Sequence, residues 1–170
     1  MNKARGLCVL DVDGTLIEEE VIDLLGKEAD CEKEVAQLTA QAMRGELDFE
    51  SSLKKRVSLL KGLSIDAFDK IYHELHLSKN AVQFIKTLKE SQIEVGLVSG
   101  GFTTIVERLA KDLGLSLFAA NQLEIRDGHL TGNLIGPIVS REVKEKTLLS
   151  WAQELEVPFE RTIAMISVFS

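Results

Sequence analysis

Two aspartates stand two residues apart in Asp11-Val12-Asp13-Gly14-Thr15, directly after the apolar run Leu7-Cys8-Val9-Leu10. Carboxylates at that spacing, delivered by a buried strand, can divide a reaction between them. One attacks an electrophile while the other carries the proton. Gly14 permits a sharp turn where the backbone must approach a ligand, and Thr15 adds a hydroxyl. An acidic turn after a strand, with Asp13-Gly14 as its turn residues, explains the same letters without chemistry. Ser99-Gly100-Gly101 is a second candidate. It reads as a turn that closes a strand and opens a helix, whose unpaired N–H groups and positive dipole end suit an oxyanion such as phosphate. Lys144 lies one turn into the helix that Ser140 begins, although Arg141 and Lys146 are cations on the same helix.

The elements that would position these residues follow from periodicity. Residues 7–10 read as a short strand buried on both faces. From Glu18 to about residue 77 the pattern is helical. One stripe carries Val21, Leu24 and Leu25; the next carries Val35, Leu38 and Ala42; a third carries Phe49, Leu53, Val57 and Leu60. Ser64 is the expected cap of a fourth helix, with Ile65, Phe68, Ile71 and Leu75 inward. Ser78 is the expected cap of a helix burying Ala81, Val82, Ile85 and Leu88. Strands follow at 93–98 and 117–120, then a hairpin whose strands, 122–126 and 129–134, flank Asp127-Gly128. A helix from Ser140 to Glu154 and a buried strand at 162–166 complete the pattern. Strands alternating with helices predict an α/β fold built on a parallel sheet. In such sheets ligands sit beyond the carboxyl ends of the strands, which brings Asp11, Ser99 and the segment after Ile166 to one cleft.

The chain has 170 residues, 45% of them hydrophobic, enough for a cored domain, either one domain or one domain with an insertion. A net charge of −7 argues against a nucleic-acid phosphate backbone as partner. No apolar run approaches a membrane span, and no signal peptide fits before Asp11. Cys8 and Cys31 have neither metal nor redox spacing and suit a reducing, cytoplasmic setting. His73 and His76 are three apart on a helix, but no further ligand is near them in sequence.

Taken together these residues resemble the phosphoserine phosphatases of the haloacid dehalogenase superfamily, over nearly all of residues 6–165. Asp11-Val12-Asp13-Gly14-Thr15 is similar to that family's first motif, Ser99-Gly100-Gly101-Phe102 to its second and Lys144 to its third. The resemblance implies a Rossmann-like parallel core of residues 1–16 and 78–170, with residues 17–77 as a small helical cap inserted after the first strand. It implies that Asp11 is the nucleophile and Asp13 the general acid and base. Ser99, Gly100 and Lys144 would bind phosphate; Glu20, Arg56, Met43 and Phe49 would contact the rest of the substrate. Mg²⁺ would be held by Asp11 and Asp13. The implied reaction is hydrolysis of O-phospho-L-serine through an aspartyl-phosphate, the last step of serine biosynthesis.

The end of the chain departs from the pattern. The family's fourth motif, Gly-Asp-Gly, one variable residue, then Asn-Asp, is expected after residue 165, but the chain reads Ile166-Ser167-Val168-Phe169-Ser170. Ser167 stands where the resemblance places a metal-binding aspartate, and Ser170 where it places an asparagine. The expectations are a frameshifted, truncated or altered tail, weakened metal binding, impaired turnover, and self-association through an uncovered last strand. The alternatives are a phosphoamino-acid binder without turnover and a damaged, poorly folded fragment.

Overall fold

The computed structural model describes residues 3–166. A five-stranded sheet runs β4-β3-β2-β1-β5, where β1 is Gly6–Leu10, β2 Ile93–Phe102, β3 Leu117–Arg126, β4 His129–Ile135 and β5 Thr162–Met165. The pairings β1–β2, β1–β5 and β2–β3 are parallel, and the β3–β4 hairpin is antiparallel. Both faces of β1 are covered. Leu7 and Val9 pack with Val98, Val139, Leu148 and Ala152 on one side. Cys8 and Leu10 join the larger core with Val95, Leu97, Ile105 and Val106 on the other. That two-sided burial is why the strand reads as an unbroken apolar run.

Between β1 and the helix that leads into β2 the chain forms four helices: α1 Val21–Glu28, α2 Glu32–Met43, α3 Phe49–Ser58 and α4 Asp66–Glu74. Asp48 begins α3 by accepting the Ser51 N–H at 2.9 Å. The chain enters and leaves this segment side by side. Ile17 bridges Leu77 antiparallel, Glu18 N–H donates to the His76 carbonyl at 2.9 Å, and Ser78 N–H to the Leu16 carbonyl at 2.9 Å. Glu19 closes the same junction with its carboxylate on the His76 N–H and on the His76 ring Nδ1, the latter at 2.5 Å. The far end of the helical segment rests on the hairpin, where Gly62 N–H donates to the Leu130 carbonyl and Ile65 N–H to the Gly128 carbonyl. Helices α5 Ala81–Glu90, α6 Thr103–Asp112 and α7 Arg141–Glu154 flank the sheet. No helix among the described residues is long and apolar enough to cross a membrane.

Several expectations change in detail. Ser78 does not cap α5; the helix starts after Asn80, and the Ser78 hydroxyl instead donates to the Thr15 carbonyl at 2.6 Å. Ser64 sits one residue before the N-cap of α4, where its hydroxyl accepts the Asp66 N–H at 3.2 Å. Val82 is exposed rather than inward, because Ile85 and Leu88 already turn the apolar face of α5 to the sheet. Residues 117–126 form one strand, not two. Ser99-Gly100-Gly101 does not open a helix. It continues β2, whose register with β3 is irregular between Val98 and Phe102, and α6 begins only at Thr103. The last strand is not buried: among the described residues β5 pairs with β1 alone, and Ile163 and Met165 are 49% and 41% exposed. Ser167, Val168, Phe169 and Ser170 lie outside the described residues.

Candidate active site

Asp11 follows the last residue of β1, and its N–H donates to the Met165 carbonyl of β5 at 2.8 Å. The strand order turns back here, since β2 lies on one side of β1 and β5 on the other. Such a switch point leaves a crevice at the carboxyl ends of the strands. The Asp11 side chain is 2% exposed. Oδ1 accepts the Val12 N–H at 2.9 Å, and Oδ2 faces the Lys144 Nζ of α7 at 3.2 Å. Ser140 starts α7 by accepting the Val143 N–H, which sets Lys144 one turn into that helix. Lys144 is itself buried, and sequence periodicity did not separate it from Arg141 and Lys146. Only the fold does so, by aiming that one helical position at the end of β1.

Asp13 leaves the strand direction through a tight turn over Val12–Leu16 in which Gly14 takes a φ of +67°. A side chain there would be strained by the left-handed backbone and would also approach the Glu20 Oε1 at 3.2 Å. Asp13 Oδ2 accepts the Val21 N–H at 3.1 Å, and its Oδ1 is buried without a partner among the described residues. Burial pushes the Asp13 carboxyl up to about 7; the Glu20 and Asp11 charges add to this, while the Val21 N–H and Lys144 oppose it. A carboxyl titrating in that range is suited to exchange protons near neutrality.

Ser99 is fully buried, and its hydroxyl oxygen accepts the Gly101 N–H at 2.9 Å. A Cβ on Gly101 would stand 3.0 Å from that oxygen and 3.1 Å from Asp13 Oδ1, so the glycine lets the two side chains converge. Gly100 lies under Phe49, with its Cβ position 3.2 Å from the ring. A residue missed from sequence holds this segment: Asn121, 2% exposed in β3, donates to the Gly100 carbonyl and accepts the Val139 N–H, both at 2.8 Å. Sequence offered no signal for it, since Gln122, Glu124 and Arg126 share the strand and only the fold buries Asn121.

One cleft of about 890 Å³ is lined by all nine of the residues named from sequence: Asp11, Asp13, Glu20, Met43, Phe49, Arg56, Ser99, Gly100 and Lys144. Glu20 precedes α1, Met43 ends α2, and Phe49 and Arg56 lie on α3, so the helical segment supplies one wall. Asp23 and Thr39 also line it and had not been singled out. Burial raises the Glu20 and Asp23 carboxyls and lowers the Arg56 guanidinium; the guanidinium is held up in part by Asp23 and then Glu20. The lining carries five carboxylates (Asp11, Asp13, Glu20, Asp23, Glu142) against three cations (Arg56, Arg141, Lys144). Excess negative charge and oxygen donors fit a hard divalent cation. No group of three or more His, Cys, Asp or Glu is disposed for a metal among the described residues. His73 bonds the Asp69 carbonyl and His76 bonds Glu19, so that pair does not converge.

A haloacid dehalogenase-like hydrolase model matches residues 8–166, with the aspartate pair, Ser99 and Lys144 all inside it. The chain belongs to the haloacid dehalogenase-like hydrolases. It is 49% identical over 165 residues to a phosphoserine phosphatase of Streptococcus thermophilus, covering 97% of this chain and 77% of the relative. It is 48% identical to a phosphoserine phosphatase of Lactococcus lactis, covering 95% and 75%. A solved phospho-aspartyl intermediate analogue of a phosphoserine phosphatase superposes with a TM-score of 0.89 at 39% identity, covering 95% of this chain and 78% of that one.

Proposed function

We propose that this hydrolase cleaves O-phospho-L-serine to L-serine and phosphate. The observation that carries the proposal is a single cleft combining the buried Asp11–Lys144 pair and Asp13 with Glu20 at the start of α1 and Arg56 on α3. A zwitterionic amino-acid phosphate needs a nucleophile and cations for the phosphate, one cation for the carboxylate and one anion for the ammonium. In this reading residues 17–77 cap the rest of the chain. Arg56 grips the substrate carboxylate, Glu20 the ammonium, and Met43 and Phe49 exclude water beside them. Ser99, the Gly100 N–H and Lys144 hold the phosphate oxygens. Asp11 attacks phosphorus, the bond to the serine oxygen breaks, and Asp13 protonates that oxygen. Asp13 then takes a proton from water, which attacks phosphorus and returns Asp11 with release of phosphate. The Asp11 carboxylate and Asp13 carbonyl would hold Mg²⁺, whose charge offsets that of the reacting phosphate. Supporting the reading are two phosphoserine phosphatases near half identity and a structural neighbour solved as a substrate-bound phosphoserine phosphatase complex at a TM-score of 0.89.

A cytoplasmic location belongs to the same reading, supported by free thiols at Cys8 and Cys31. So does self-association through β5, supported by the exposed Ile163 and Met165 on an edge strand. The deciding experiment is phosphate release from O-phospho-L-serine, with and without Mg²⁺, beside an Asp11→Asn control. Mg²⁺-dependent release that the control lacks supports the proposal. Phosphoserine binding without release from folded protein replaces it with a binder that lacks turnover, and impaired release is the expected mark of the serine at 167.

A further inference from the structure

Arg56 is useful to a substrate carboxylate only if its planar fork is presented edge-on to the cleft. A long side chain on a helix has many rotamers, and two carboxylates compete for this one. Asp23 is the strongest attracting charge on the Arg56 guanidinium, followed by Glu20. An ion pair with Asp23 would consume the fork, yet no Arg56 salt bridge forms among the described residues. The guanidinium is engaged elsewhere. Its Nε–H donates to the Ser52 carbonyl one turn back at 3.3 Å, and an NH1 hydrogen goes to the Thr39 hydroxyl at 3.4 Å.

Both partners are themselves fixed. The Thr39 hydroxyl donates to the Val35 carbonyl at 3.1 Å, which leaves its oxygen to accept from Arg56. Ser52 is fully buried, and its hydroxyl donates to the Leu38 carbonyl at 3.3 Å, tying α3 to α2 beside Thr39. Thr39 follows Val35 by one helical turn and lines the cleft. We infer that Thr39 is a positioning residue: its hydroxyl orients the Arg56 guanidinium toward a substrate carboxylate and away from Asp23. The inference rests on the proposed role of Arg56. Three of the five guanidinium hydrogens remain for that carboxylate.

The test uses two ligands that cannot be hydrolysed. One is the phosphonate analogue of phosphoserine, with CH₂ in place of the ester oxygen; the other is its decarboxylated counterpart, aminopropylphosphonate. They differ only in the carboxylate. Their dissociation constants are measured by calorimetry on the full chain, unaltered and as Thr39→Val and Thr39→Ser. The unaltered chain prefers the carboxylate-bearing ligand. Thr39→Val keeps the volume, removes the hydroxyl, and is expected to reduce that preference by roughly three- to tenfold, the worth of one hydrogen bond. Affinity for aminopropylphosphonate stays within about twofold, and Thr39→Ser keeps most of the preference. A Thr39→Val chain with the full preference overturns the inference. So does equal weakening of both ligands, which would mark Thr39 as merely structural. If the unaltered chain shows no preference, the role given to Arg56 fails first and the Thr39 inference falls with it.

Discussion

Replacing Lys144 by methionine tests the electrostatics of the site without relying on turnover. The Lys144 Nζ lies 3.2 Å from Asp11 Oδ2, with both side chains nearly out of solvent. At an effective dielectric of about 20 that separation corresponds to roughly 5 kcal/mol of attraction, most of it offset by the cost of desolvating both charges. The net pair is therefore worth little, but breaking it from one side is costly. Methionine fills the volume and leaves the Asp11 carboxylate buried with, among the described residues, only the Val12 N–H as partner. Asp13 and Glu20 also lose the opposing effect of Lys144. The expected loss is about 3–5 kcal/mol in urea unfolding near neutral pH without added metal. At about 2–4 °C per kcal/mol for a chain of this size, the melting temperature falls by roughly 10 °C. The double variant Asp11→Asn, Lys144→Met removes both charges and is expected to recover most of that loss. A loss below about 1 kcal/mol, or a double variant no more stable than Lys144→Met, would refute the claim that Lys144 chiefly compensates Asp11.

Three further outcomes are expected. Asn121→Ala strips partners from the Gly100 carbonyl and the Val139 N–H, and should cost about 2–4 kcal/mol in chemical unfolding while weakening inorganic phosphate binding. Gly96→Ala drives a Cβ to within 2.5 Å of the Trp151 ring and should cost about 1–3 kcal/mol; Trp151→Leu in the same chain should return part of it. At the junction of the helical segment, Glu19 raises the His76 pKa above its usual 6.5, while hydrogen bonds from the His76 backbone and ring hold the Glu19 carboxyl below its usual 4.5. The histidine's contribution is full below 6.5 and is lost as pH rises through its folded value. The carboxylate's is present above 4.5 and is lost as pH falls through its folded value. The advantage of the unaltered chain over His76→Gln in thermal unfolding should peak between those two pH values; an advantage that keeps growing above 6.5 would count against the pairing.

The local sequence determined the strand that ends at Leu10, the four helices after it, the hairpin at Asp127-Gly128 and the start of α7 at Ser140. Each is written in neighbouring residues, as an apolar run, a period near 3.6 or a side chain that bonds its own backbone. It also yielded nine of the residues that line the cleft, because the motifs of an enzyme family survive in linear order. What it could not yield depends on groups distant in the chain. Lys144 is distinguished from its neighbours only because α7 packs where that position faces Asp11, 133 residues away. Ser99-Gly100-Gly101 looked like a helix start from its composition, but β3 draws it into an extended path and Asn121 fixes it there. The exposure of Ile163 and Met165 was not legible either, because it depends on what packs over the faces of β5: Leu130 on the opposite edge strand is buried. Thr39 looked like an ordinary helical residue until α3 brought Arg56 against it. Periodicity fixes which face a residue occupies along its own element; packing decides what that face meets.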